Sequence, residues 1–214
     1  VTNLIKTNEK VSFYSHLIGA GAAFLGTIYL ILVAKRSVPK IIVSVIYGLA
    51  MSLVFSASAL YHAMKKQENE ISGWRKLDHI AIFIMIAGTY TPICHAYLSG
   101  YWRWSIIIAQ WALVIAGFFL KFFYLKAPRY FSTLIYLLMG WMGLIPIKML
   151  TANMSGQAVF YLLAGGAAYT VGACFYALKK PAPRAWFGFH EIFHLLILVG
   201  AVFHYLLVYT AIAG

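Results

Sequence analysis

Seven long stretches of this chain carry almost no charge. Each is long enough to cross the hydrocarbon core of a bilayer, which takes about 20 apolar residues in a helix. They cover residues 12–34, 41–64, 77–98, 104–120, 130–147, 157–178 and 186–213. The runs are continuously apolar rather than alternating, which excludes a transmembrane barrel. The pattern predicts an all-α polytopic membrane protein, a seven-helix bundle forming one domain over residues 1–214. Turn-formers punctuate it: Pro39, Ser72-Gly73, Ser99-Gly100, Pro128, and Pro181 with Pro183. Pro92 and Pro146 fall near span ends, where a missing amide is tolerated.

Composition points the same way. Only 10% of residues are charged, against about 25% in soluble domains, and 17% are aromatic, which excludes disorder. Two cysteines are too few for a disulfide scaffold. Cys94 and Cys174 fall near opposite leaflets, beyond the roughly 7 Å between Cα atoms that a disulfide spans.

The formal net charge of +12 is a distribution rather than a patch. Basic residues sit in short clusters between apolar runs, so no contiguous basic face for nucleic acid exists. Twelve Lys and Arg fall on the side of the N-terminal tail and five on the other side. The positive-inside rule therefore expects a cytoplasmic N-terminus and an outer C-terminus. Span one is long and ends in Val33-Ala34-Lys35-Arg36, which offers no signal-peptide cleavage site. Short loops leave no soluble domain and imply no soluble protein partner, so function is expected in the bilayer or at its face. The partners are then membrane lipids, one of them a candidate substrate.

Ionisable residues inside a membrane are costly, and so mark function. Three spans place them at one depth. His62 ends span two, with Ser58 one turn deeper; Asp78 opens span three; His190 and His194 open span seven. His190 and His194, four residues apart, project from one helical face, and His62 from a neighbouring helix would complete three nitrogen ligands. Three histidines and an open fourth position describe a catalytic zinc site. Asp78, the only Asp in the chain, is the natural group to hold or deprotonate a water at that position. Ser58 could hydrogen-bond that water or polarise a substrate carbonyl. A structural zinc that pins spans two and seven together is the alternative.

Other features have plainer readings. His16 and His79 lie on the same side but read as interfacial. His95 and His204 fall nearer the outer leaflet, roughly 25 Å from the site at 1.5 Å per residue. Gly19-Ala20-Gly21-Ala22-Ala23 and Gly165-Gly166-Ala167-Ala168 are expected to let helices pack closely. Trp102, Trp104, Tyr130 and Trp186 fit an aromatic belt at span ends.

The motifs Ser58-x-x-x-His62, Leu77-Asp78-His79-Ile80-Ala81-Ile82-Phe83, Ala87-Gly88-Thr89-Tyr90-Thr91-Pro92 and His190-x-x-x-His194 carry a resemblance over essentially the whole chain. It resembles the bacterial hemolysin III branch of the progestin and adipoQ receptor (PAQR) superfamily. That resemblance implies seven helices, a cytoplasmic N-terminus, a bacterial plasma membrane location, and a zinc held by His62, His190 and His194. It also implies that Asp78 contacts the water at the metal and that Ser58 lines the site. The pattern departs near span one, where Glu9 is followed by Ser15-His16 without an Asn, so Glu9 receives no role.

Three functions follow as expectations. The first is a zinc-dependent hydrolase of a lipid amide or ester, suggested by the superfamily's resemblance to ceramidase-like proteins. The second is a non-enzymatic haemolytic or membrane-homeostasis protein, its zinc closed off by Asp78. The third is an intramembrane metalloprotease, because His190-Glu191-x-x-His194 matches H-E-x-x-H. In the resemblance, Glu191 instead points about 100° away from His190, towards the cytoplasmic interface.

Overall fold

A computed structural model of the chain describes residues 6, 9–67, 70–124, 129–183 and 187–214. Pro128 and Trp186 lie outside them. The architecture is all-α: α1 (Lys10–Val33), α2 (Val38–Met64), α3 (Gly73–Tyr97), α4 (Gly100–Phe123), α5 (Arg129–Gly140), α6 (Ile147–Asn153), α7 (Gly156–Leu178) and α8 (Phe189–Ala213). Six of these are long and apolar enough to cross a membrane, and the bent α5–α6 pair passes the same test as a seventh span. The chain is an integral membrane protein.

Helix starts follow local chemistry. The Ser72 and Ser155 hydroxyls accept the amides of Arg75 and Ala158, each at 3.2 Å, and so cap α3 and α7. Pro39 stands in the first turn of α2, where its missing amide costs nothing. Lys40 donates to the Ile212 carbonyl at 2.8 Å, placing a cation at the negative end of α8.

The fifth span departs from expectation. A single helix over 130–147 was predicted; instead α5 stops at Gly140, a 3₁₀ turn follows over Trp141–Leu144, and α6 leaves at 59°. Gly140 and Gly143 weaken the helix, and Pro146 cannot continue its hydrogen-bond ladder. Freed backbone groups inside a membrane need partners, and Tyr90 of α3 supplies them. Its hydroxyl donates to the Gly140 carbonyl at 2.6 Å and accepts the Gly143 amide at 2.7 Å. Pro92 stands inside α3, within the last two turns before its end at Tyr97. Around it the Thr89 and Thr91 hydroxyls donate to the carbonyls four residues back, each at 2.8 Å, a bond that bends helices.

Helix α3 is the hub, packing on α2, α4, α5, α6 and α8, while α1–α2, α1–α8, α7–α8 and α5–α7 contacts link the other helices in an arc beside it. Of the two small-residue runs, one face of each packs closely. A Cβ on Gly19 would sit 2.9 Å from Leu198 and one on Gly165 2.2 Å from His204, whereas Gly21 meets nothing within 4 Å. The helical period of about 3.6 residues turns the members between the packed ones, Gly21, Ala22 and Ala167, outward.

Candidate metal centre

The last turn of α2 and the first turns of α8 bring three imidazoles together. Nε2 of His62 lies 3.1 Å from that of His194 and 3.4 Å from that of His190, and the last two are 3.1 Å apart. Among the described residues these three form a group able to hold one metal ion, with His62 and His194 buried and His190 half-buried. The i, i+4 spacing on α8 brings His190 and His194 together, and the packing of α2 beside them adds His62.

The outward ring nitrogens explain why the inner ones converge. His62 Nδ1 donates to Glu9 Oε2 at 2.6 Å, and the other Glu9 oxygen accepts from Lys65 Nζ at 2.6 Å. A carboxylate on Nδ1 fixes the tautomer, leaving a lone pair on the inward Nε2. His194 turns its Nδ1 to the His16 ring, 2.8 Å from His16 Nε2. Nitrogen lone pairs aimed at one another repel unless a cation lies between them, so the donor set suits a metal. Burial would raise the Glu9 pKa, but hydrogen bonds from His62 and Lys65 outweigh it and hold the carboxyl at about 2.

Glu9 and His16 were the residues that sequence reasoning passed over. Both are 3% exposed, so His16 is not interfacial and Glu9 has a definite position. With Ser12, Gly19 and Ala23 they form a polar and small stripe recurring every three or four residues along α1. That stripe was readable as a buried helix face. Glu191 is corrected as well: it is buried, and Ser12 Oγ donates to its Oε1 at 3.5 Å. It therefore faces α1 rather than the interface, and it lies outside the group of converging ring nitrogens.

Ser58, buried on α2, hydrogen-bonds the Asp78 carboxylate of α3, which also feels His62 and Arg75. Asp78 is not a member of the converging group; it lines a cavity of about 550 Å³ together with Ser58, His190 and His194. Within the same cavity wall lies His79, whose carbonyl accepts the Tyr136 hydroxyl at 3.2 Å. The cavity continues past Ile82 and Met85 to Tyr90 and His204, farther than polar residues clustered at one end suggest. His204 was expected near the outer leaflet. It stands ten residues beyond His194 on α8, about 15 Å by helical rise, with Nε2 3.4 Å from the Leu162 carbonyl. His95, near the far end of α3, takes no part in the site.

Replacing Glu9 with Gln keeps the shape but removes the charge behind His62. Metal affinity is expected to fall about 10–100-fold, measured by competition with a chromophoric chelator on the purified protein; an unchanged affinity would show the Glu9–His62 contact to be incidental.

Comparison with known proteins agrees with this architecture. The family model described as haemolysin-III related matches residues 4–205. Hemolysin-3 of Bacillus cereus is 34% identical, over 94% of this chain and 90% of that protein. The Hemolysin-3 homolog of Bacillus subtilis strain 168 is also 34% identical, over 90% and 89%. Heptahelical transmembrane protein ADIPOR2 of Oryza sativa subsp. japonica is 32% identical over 75% of this chain and 77% of its own length. With a helical membrane bundle, a three-histidine cluster and a match along nearly its whole length, the chain belongs to the haemolysin-III related family within the PAQR superfamily.

Proposed function

We propose that this protein hydrolyses an amide or ester bond of a membrane lipid, using a zinc ion held by Nε2 of His62, His190 and His194. Three imidazole nitrogens on a tetrahedral zinc, each about 2.0–2.1 Å from it, lie roughly 3.3 Å apart. The separations of 3.1–3.4 Å here are compatible with that ion. The proposal places the basic-rich end, with the site, in the cytoplasmic leaflet of a bacterial plasma membrane. The observation that carries it is the meeting of this cluster with the 550 Å³ cavity, whose wall holds Asp78 and Ser58.

When bound, zinc lowers the pKa of a water to about 7 and polarises a carbonyl. Asp78 takes the proton of the attacking water as its oxygen bonds to the carbonyl carbon. It returns that proton to the leaving nitrogen or oxygen as the old bond breaks. Ser58 orients the Asp78 carboxylate. Ile82, Met85, Ile86 and Leu162 give the cavity an apolar wall for an acyl chain. Glu191 also lines the cavity, but it accepts from Ser12 and lies outside the converging group, so the proposal gives the role of base to Asp78 rather than to Glu191 as the metalloprotease reading would.

The name hemolysin, carried by the Bacillus relatives, favours a second reading in which the protein lyses membranes or otherwise acts on them without catalysis, with the metal as a clamp. That reading expects Asp78 to close the fourth position and no cavity to reach lipid; Asp78 lies outside the converging group, and a cavity adjoins the cluster, which supports the hydrolase reading instead. The test is release of fatty acid from a panel of ceramides, acylated amines and phospholipids by purified protein. Release that disappears with chelator and returns with zinc is expected. A panel left intact by zinc-loaded protein would sink the hydrolase reading in favour of the clamp.

A further inference from the structure

Lys121 is buried where its position does not require it. It stands in the last turn of α4, beside the exposed Phe122 and Phe123. A lysine there ordinarily carries its ammonium out to the head groups. Lys121 instead turns inward and is 1% exposed. Its ammonium donates to the Ser132 hydroxyl of α5 and lies 6.0 Å from the Tyr136 ring centroid. Both partners are neutral. Among the described residues the ion pairs are those of Glu9 with His62 and Lys65. Asp78 interacts with His62, Ser58 and Arg75. The charge that acts on Lys121 is that of Arg75, of the same sign. A desolvated ammonium with one hydroxyl for three N–H groups is costly unless an anion joins it.

Lys121, Arg75 and Ser132 all line the cavity that reaches His190. We propose that they form an anion-binding subsite for the phosphate of a phospholipid head group. Two cations from separate helices beside a hydroxyl suit an oxyanion with several acceptor oxygens. The depth also fits, because the last turn of a spanning helix lies at the head-group layer. On the outer side of α4, Phe118, Phe119, Phe122 and Phe123 are exposed. Acyl chains of a lipid whose phosphate reaches Lys121 can lie along that apolar face without leaving the hydrocarbon. The subsite stands whether or not the protein turns lipid over.

The experiment is native mass spectrometry of the purified full chain in neutral detergent, titrated with dioleoylphosphatidylglycerol or with inorganic phosphate. One retained lipid per chain is expected, with binding at least about tenfold weaker in Lys121→Met. Ser132→Ala removes the hydroxyl but keeps both cations, so it is expected to weaken binding far less than Lys121→Met does. If Lys121 only tied α4 to α5, the two variants would behave alike, and that result overturns the proposal. Undiminished binding by Lys121→Met overturns it too. Phosphate that binds as tightly as the lipid would overturn the head-group assignment. Should Lys121→Met prove unstable, Lys121→Gln retains a donor for Ser132 and loses only the charge, with the same expectation.

Discussion

Replacing His194 with Ala is expected to leave the protein essentially without metal after purification. His194 supplies one of three converging nitrogens and stands 3.1 Å from each of the other two. Zinc sites bind with roughly 10–16 kcal/mol in total, so losing one of three ligands should weaken affinity by about a thousandfold or more. The measurement is metal content by mass spectrometry alongside helical content by circular dichroism. Loss of metal with the helices intact is the expected pair of results. Full metal occupancy in the variant would mean that the ion, if one binds, sits elsewhere. Replacing His95 in the same way is the control, since it stands apart from the cluster and should leave the metal in place.

Asp78→Ala separates the two uses of this site that the fold allows. Asp78 lies outside the ligand group but on the cavity wall beside it, so the variant should retain its metal. Lipid hydrolysis should fall by about 10²–10⁴, the usual share of a general base. The loss should appear in kcat rather than in KM, because in the proposed mechanism the apolar wall, and not the carboxylate, would hold the acyl chain. Hydrolysis unaffected by the change would remove Asp78 from the mechanism. Loss of metal along with activity would instead make it part of the metal's hold, as the clamp reading requires. Ser58→Ala should have a smaller effect in the same direction, since Ser58 acts by orienting Asp78.

The bundle was legible because lipid imposes a simple rule. A chain that crosses hydrocarbon must satisfy its backbone within each helix, so long uncharged runs translate directly into spans. Six came out close to their expected limits. The fifth did not: Gly140, Gly143 and Pro146 weaken it locally, but the groups the break frees are satisfied by Tyr90, a residue 50 positions away from the Gly140 carbonyl that it binds. Nothing local to residues 130–147 announces that partner.

The site divides in the same way. The sequence alone marked the candidate ligands, because polar groups placed in a membrane at one depth are expensive and have to meet something. His62, Asp78, His190 and His194 were all visible on that ground. Only the tertiary structure decided which groups stand behind them. Packing of α1 against α2 and α8 brings Glu9 to His62, His16 to His194 and Ser12 to Glu191. The inward turn of Lys121 likewise depends on where α5 lies. Depth along a helix is encoded residue by residue, but the face a neighbour covers is set by how whole helices pack.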